Sequence, residues 1–240
     1  MTQFPYENLS LLNESIFSRL KKALLELMRN CVANGIDKLP PEDVLSERMG
    51  VSRTVLRDVL STLESQGYVI RRRSKGTIIN KYVVLAKCRL DIDYEVEDYM
   101  RMTDKQYECS EMIVKDFQAT AKSSAKLNVP VGHLLMHITK NYHSEGKLVA
   151  TNVELFDKSF IVEPYEPDDL RGSVYDFLKQ KCHISIEASM SNIHAQIHDG
   201  RPCLYVDDVG INLELKPLLW SRKHYYSDFF GEMTFIRNKR

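Results

Sequence analysis

Apolar residues recur at helical spacing in the first third of the chain, and they predict two amphipathic helices. Over residues 13–31, one face consists of Ile16, Leu20, Leu24, Leu27 and Cys31. In a second segment, the apolar stripe consists of Val55, Leu56, Val59, Leu60 and Leu63. Because each stripe covers only one side of a helix, the two helices are expected to pack through these faces and leave polar faces outside.

The second stripe lies within residues 39–79, where the pattern predicts two short helices followed by a hairpin. Gly50 ends the earlier helix, because glycine adopts a left-handed backbone conformation at little cost. Ser52 is then the expected N-cap of the next helix, since its hydroxyl can accept a hydrogen bond from a free backbone N–H. Beyond Gly67, two short extended arms flank the turn Ser74-Lys75-Gly76.

From about residue 106 the pattern becomes a mixture of helices and strands. One helix is predicted over 114–127 and another over Val174–Lys181, with Ser173 as the N-cap of the latter. Strands are predicted over 133–143, Val149–Phe156, 184–196, 203–208, 218–226 and 231–237, with a hairpin turn at Glu145-Gly146. The expected fold class is α+β with antiparallel pairing.

These patterns divide the chain into a first domain over residues 1–80, a linker over 81–105 and a second domain over 106–240. A length of 240 residues is consistent with two domains. The linker contains Asp91, Asp93, Glu95, Glu97 and Asp98. We expect this acidic bias to keep the linker away from polyanions.

Basic residues are concentrated on the second predicted helix and the hairpin, although the whole chain has 33 basic and 33 acidic residues. Residues 48–81 hold eight basic and two acidic side chains, which gives a local net charge of eight minus two, or +6. A basic patch confined to one motif favours phosphate binding at that motif. The alternative is an ordinary solvated charged face.

Other sequence signals narrow the class of protein. There is no apolar run long enough to span a membrane and no signal peptide, so a cytoplasmic protein is expected. The five cysteines are scattered without a Cys-x-x-Cys motif, which suits a reducing compartment and indicates no zinc finger. His133 and His137 lie on a predicted strand, too far apart to share an ion, and no cofactor motif is present. We expect neither a metal nor a cofactor.

Over residues 39–79 the chain resembles the GntR family of bacterial transcription regulators. The resemblance is carried by LPPEDVLSERMGVSRTVLRDVLSTLESQGYV and then RSKGT. It implies a winged helix-turn-helix that binds double-stranded operator DNA, with the second helix in the major groove and the hairpin as the wing. The residues predicted to contact DNA are Ser52, Arg53, Thr54, Arg57, Arg73, Lys75, Gly76 and Thr77.

One segment departs from that family's pattern. Pro41-Glu42-Asp43-Val44 stands where the family usually has Ser-Glu-Arg-Glu. The usual Ser/Glu capping box is missing, and Pro41 is only a partial substitute at the start of the helix. Asp43 replaces an arginine that commonly contacts DNA, so the operator or the docking angle is expected to differ.

Nearly all of residues 105–240 resembles the UTRA effector domain of HutC-type GntR regulators, through looser motifs. The matching pieces are LNVPVG at 127–132, SEGK at 144–147, GSVY at 172–175 and SRKHYYSDFF at 221–230. The resemblance implies a chorismate-lyase-like fold that binds small effectors and carries the interface of a homodimer.

The same resemblance indicates where an effector would bind. Lys140 and Tyr142 match arginines that bind the anion in sugar-phosphate-binding members, and Asn152 matches an acidic residue that meets a sugar hydroxyl. Ser173 keeps the family's residue type, and Tyr225 completes the predicted set. Each has a simpler alternative role: solvated strand lysine for Lys140, helix capping for Ser173, and core packing for Tyr225.

The function expected from the sequence is a dimeric, ligand-responsive transcription regulator without enzymatic activity. The expected mode is repression of an inverted-repeat operator, released by a small anionic metabolite such as a sugar phosphate. Two alternatives remain open at this point: an enzyme of chorismate-lyase-like fold, and a DNA-binding protein that responds to no effector.

Overall fold

The computed structural model describes residues 16–92, 95–103 and 105–237, and the chain forms two compact units. The first unit extends to Ile92 and includes the segment from Thr234, while the second extends from Asp93 to Met233. The boundary between them therefore falls within the 81–105 segment that the sequence assigns to a linker. Residues 13–15 of the predicted first helix lie outside the described residues.

Within the described residues, the first unit contains three helices, a two-stranded hairpin and a short fourth helix. Their bounds are α1 Ile16–Ala33, α2 Glu42–Met49, α3 Arg53–Ser65, β1 Val69–Arg72, β2 Gly76–Ile79 and α4 Lys81–Val84. The predicted apolar stripe of α3 is confirmed, because Leu56, Val59, Leu60 and Leu63 are fully buried in this unit's core. Burial of this stripe leaves the opposite face of α3 exposed.

The ends of α2 and α3 follow the sequence signals. Gly50 has φ 63° and closes α2 in the left-handed conformation. Ser52 caps α3, with its hydroxyl accepting from the Val55 N–H at 3.3 Å. Pro41 at the N-cap of α2 makes no side-chain capping bond, as the departure from the family pattern predicts.

The second unit is built on one antiparallel sheet of six strands in the order β3-β4-β5-β8-β7-β6. The strands are β3 Glu108–Gln118, β4 Leu134–Ser144, β5 Lys147–Asp157, β6 Ala188–His198, β7 Arg201–Ile211 and β8 Pro217–Tyr226. The helices are α5 Val96–Met102, α6 Ala121–Leu127, α7 Val174–Lys181 and α8 Ser227–Phe230. The predicted α+β class and the predicted helix over Val174–Lys181 are confirmed.

Two elements predicted within residues 106–240 are wrong. Residues 114–118 are not helical but end β3, and a helix forms only from Ala121, where the Thr120 hydroxyl accepts from Ser123 N–H at 3.3 Å. Val114 and Phe117 have helical spacing, but pairing with β4 overrides that local pattern. Residues 231–237 form no strand: Gly231, at φ 62°, follows α8, and Thr234 makes only an isolated bridge to Arg89.

Different helices cover the two faces of the sheet. On one face, α7 packs Val174, Phe177 and Leu178 into a core with residues of β4, β5 and β8. The α5 helix lies on the same face, where the Tyr99 ring contacts the Tyr225 ring with centroids 5.3 Å apart. The opposite face is covered by α6 through Leu127. The face beneath α5 and α7 is called the effector face below.

Candidate functional site

The start of α3 presents the predicted DNA-reading residues to solvent. Ser52, Arg53, Thr54 and Arg57 are all exposed. Arg57 is partly engaged, because its Nε donates to Glu42 Oε2 at 2.6 Å while its side chain stays largely exposed. The Glu42 carboxylate, by hydrogen bonding and by charge, raises the pKa of Arg57 above its usual value. Arg53 and Arg57 therefore differ in what each must give up to bind DNA.

The hairpin presents a second basic surface. Arg73, Lys75 and Gly76 are exposed around its turn, and Thr77 is half-buried on β2. The neighbouring Arg71 is held by intramolecular contacts, since it donates to the Glu64 carboxylate at 2.8 Å and to the Ser61 hydroxyl at 2.8 Å. The basic side chains of the wing thus divide into an exposed group at the turn and a structural one at its base.

Strand register brings four of the five predicted effector residues onto the effector face. Lys140 of β4 lies opposite Asn152 of β5, and Tyr142 lies opposite Ala150. Ala150 in turn lies opposite Tyr225 of β8. Ser173, the fifth residue, caps α7 by accepting from Asp176 N–H at 3.1 Å, so the predicted capping role is present.

Lys140 is buried and is already engaged within the unit. Its Nζ donates to the Gly172 carbonyl at 2.5 Å and lies 3.7 Å from the Glu154 carboxylate and 4.0 Å from that of Glu97. The expected alternative of a solvated strand lysine is wrong, because only 1% of Lys140 is exposed. A buried ammonium needs such partners to offset its lost hydration.

Two glutamates that the sequence did not assign to the site complete this cluster. Glu97 of α5 accepts a short hydrogen bond from the Tyr142 hydroxyl. Glu95, at the N-cap of α5, accepts a short hydrogen bond from the Ser173 hydroxyl. The only sequence signal at these two residues was the acidic bias of residues 91–98. That bias predicted that the segment avoids polyanions, and it did not predict the contacts with β4 and α7.

Four buried polar atoms on the effector face have no hydrogen-bond partner within the described part of the chain. They are Asn152 Oδ1, Glu154 Oε2, Ser221 Oγ and the Tyr225 hydroxyl. Glu154 of β5 is paired directly with Ser221 of β8, so these two residues are cross-strand neighbours on the same face. Leaving such groups unsatisfied costs free energy, and a bound ligand with complementary donors and acceptors would recover it.

Burial sets the ionisation of this cluster. It raises the pKa of Glu95 to about 7, with the charges of Glu154 and Glu97 adding to the shift and the Ser173 hydrogen bond opposing it. Burial likewise raises the pKa of Glu154, although Lys140 opposes this shift. The pKa of Tyr142 is raised by burial and then by the Glu97 charge, which keeps this phenol a hydrogen-bond donor.

Comparisons with known proteins agree with both halves of this description. Residues 14–79 match the family of bacterial regulatory proteins called gntR, and residues 105–230, more than half of the chain, match the UTRA domain. The HTH-type transcriptional regulator GgaR of Escherichia coli (strain K12) is 24% identical over 221 residues, which cover 85% of this chain and 86% of that protein.

Solved structures show the same fold. The protein YydK from Bacillus subtilis superposes with a TM-score of 0.67 at 16% identity, over 95% of this chain and 100% of that one. The effector domain of PhnF from Mycobacterium smegmatis gives a TM-score of 0.50 at 15% identity, over 64% of this chain and 99% of that one.

A winged helix-turn-helix followed by an antiparallel-sheet domain defines a class of effector-controlled transcription regulators. This chain belongs to the GntR family of transcriptional regulators and carries a UTRA effector domain. The gntR family match and the GgaR relative are both to transcriptional regulators, so the alternative of a chorismate-lyase-like enzyme is set aside. In the described ranges, no helix has the length and apolar character needed to span a bilayer.

Proposed function

We propose that this chain is a dimeric repressor of the HutC type whose operator affinity falls when a small effector binds the effector face. The observation that carries the proposal is the set of four buried polar atoms on that face, which lack hydrogen-bond partners among the described residues. A ligand that satisfies them would favour one arrangement of the protein over another, and that preference is the free energy available for release from DNA.

For DNA recognition we propose that Arg53 and Arg57 contact base edges while the wing contacts the backbone. Arginine suits the O6 and N7 acceptors of guanine in the major groove. Ser52 and Thr54 lie beside Arg53 on the exposed start of α3, and Arg73, Lys75, Gly76 and Thr77 supply the wing contacts. Support comes from the exposure of all of these residues except the half-buried Thr77, and from the local net charge of +6.

For assembly we propose a twofold dimer through β6, the last strand in the sheet order. This strand carries three exposed large apolar side chains: Met190 at 60%, Ile193 at 41% and Ile197 at 69% exposure. The strand at the other end of the order, β3, carries Ile113 at 42%. Exposed apolar residues on an edge strand favour association, and a twofold dimer would bind an inverted repeat.

For the effector we retain the predicted class, a small anionic metabolite such as a sugar phosphate, with Lys140, Tyr142, Asn152, Ser173 and Tyr225 around it. The geometry places a condition on the binding of such an anion. Ser173 already donates to Glu95, and Lys140 is shared between Glu97 and Glu154. An anion can reach Ser173 and Lys140 only after these carboxylates rearrange or take up protons.

The proposal is tested by screening metabolites with a thermal-shift assay and then measuring operator affinity with each ligand found. Asn152→Ala should abolish the shift, and the control Asn30→Ala, an exposed change on α1, should keep it. A ligand should lower operator affinity of the unaltered chain at least about tenfold, or about 1.4 kcal/mol. Operator affinity insensitive to every ligand that binds would instead support an effector-independent DNA-binding protein.

A further inference from the structure

The Glu95 side chain occupies the position where an anion would meet the predicted effector residues. Its carboxylate accepts from the Ser173 hydroxyl, the same group that caps α7 by accepting from Asp176 N–H. The charge of Lys140 favours the ionised form of Glu95, so the ammonium acts on this carboxylate as well as on Glu97 and Glu154. A hydroxyl, a helix N-terminus and an ammonium together form an anion site.

We infer that Glu95 is a built-in ligand of this anion site and determines which effectors the protein accepts. An anionic effector has to compete with the Glu95 carboxylate for Ser173 and Lys140. This inference deepens the proposed function, and it rests on that function only where it concerns release of the protein from the operator. Occupation of the site by an anion is a separate property of the second unit.

The charge balance of the cluster explains why Glu95 would exclude anions. With Glu95 ionised, the charges of Glu95, Glu97 and Glu154 all act in the region of the Lys140 ammonium, which lies within 4.0 Å of the Glu97 and Glu154 carboxylates. A further anion would add like charge in a region of low polarisability, where Coulomb repulsion is poorly screened. Neutralising Glu95, by protonation or by substitution, removes one of these charges and weakens the hydrogen bond from the Ser173 hydroxyl, so that an anion can displace Glu95 from it.

Displacement of Glu95 would also act on the start of α5, which is near the boundary between the two units in the sequence. Glu95 is the N-cap of α5, and Asp98 at the third helical position accepts from the Glu95 backbone N–H at 3.3 Å. The first unit ends at Ile92, three residues earlier in the chain. A ligand that moves Glu95 therefore disturbs the start of α5 close to the connection between the units.

Protonation of Glu95 makes anion binding depend on pH. Because the pKa of Glu95 is raised to about 7, its negative charge is lost as pH falls from 8 to 6. The other titratable groups facing it are Glu97 on α5, Glu154 on β5, and Lys140 and Tyr142 on β4, with Lys223 and Cys109 near the cluster on β8 and β3. Only a change that removes the Glu95 charge should abolish the pH dependence.

The test uses inorganic sulfate as the probe, because sulfate keeps its charge between pH 6 and 8. Calorimetry on the full chain would compare the unaltered protein with Glu95→Gln, with Glu95→Gln/Ser173→Ala, and with Glu187→Gln as an exposed control. At pH 8, Glu95→Gln should bind sulfate about tenfold more tightly than the unaltered chain, and the double variant should lose that gain. Glu187→Gln should behave like the unaltered chain.

Between pH 8 and 6, sulfate affinity of the unaltered chain should rise about tenfold, whereas that of Glu95→Gln should stay constant. This series on the unaltered chain does not depend on any variant folding. The inference is overturned if the unaltered chain and Glu95→Gln bind sulfate equally at pH 8, or if none of them binds it at any pH. If sulfate behaves as expected but never alters operator affinity, the proposed effector release fails while the role of Glu95 stands.

Discussion

Arg53 and Arg57 lie on the same exposed face of α3, and they differ in their intramolecular contacts. The structure gives Arg57 a close carboxylate partner in Glu42 of α2. An arginine that must leave such a partner gains less from a guanine contact than one that need not. The two residues are chemically identical, so their different surroundings should be measurable in DNA binding.

We expect Arg53→Ala to cost about 1–3 kcal/mol of operator binding, and Arg57→Ala to cost less. Fluorescence anisotropy with operator DNA and with random DNA measures both losses. Glu42→Gln weakens the ion pair that holds Arg57. It should therefore tighten operator binding and increase the loss of binding that Arg57→Ala causes. Equal losses on operator and random DNA would mean that these arginines contact only phosphates.

Glu95 also gives a residue-scale prediction about stability. A carboxyl whose pKa rises from 4.5 to about 7 on folding is costly to bury when ionised. That cost is absent below about pH 4.5 and fully present above about pH 7. Glu95→Gln should therefore stabilise the second unit by about 1–3 kcal/mol at pH 8 and by little at pH 5.

Chemical denaturation at the two pH values measures this difference, with Glu187→Gln as the control for loss of an exposed carboxylate. A stabilisation of the same size at pH 5 and pH 8 would show that Glu95 is not a strained carboxylate.

At the scale of single elements, helix ends were the most predictable features. The α7 helix has the predicted bounds and the predicted Ser173 cap. Both were predictable because the residues that determine a helix end lie within a few positions of that end in the sequence. The β3 strand was missed, since its identity depends on pairing with β4 some 25 residues further along the chain. Glu95 and Glu97 were missed for the same reason: their partners Ser173 and Tyr142 are distant in sequence.

Capping provides a prediction at this scale. Ser52 makes its N-cap bond and Pro41 makes none. Ser52→Ala should therefore cost the first unit about 1 kcal/mol, whereas Pro41→Ser should stabilise it by a few tenths to about 1 kcal/mol. Thermal unfolding of the two variants measures both effects. Opposite signs are expected, and a loss of stability in Pro41→Ser would contradict the capping argument.

At the scale of the whole molecule, the proposed dimerisation through β6 can be tested with a matched control on β3. Ile193 and Ile113 are exposed to nearly the same extent, 41% and 42%, on strands at opposite ends of the sheet order. Sedimentation should show that Ile193→Lys raises the dimer dissociation constant at least about tenfold, or about 1.4 kcal/mol, while Ile113→Lys leaves it unchanged. The reverse result would place the interface on β3.

The central claim, a dimeric regulator that recognises a specific operator through α3, is tested most directly by selecting DNA from a random-sequence pool. The unaltered chain should enrich an inverted repeat, and its half-site alone should bind much more weakly. The same selection with Arg53→Ala should lose the enrichment at the base pairs that this arginine contacts. Recovery of no consensus sequence, or an unchanged consensus with Arg53→Ala, would contradict the account.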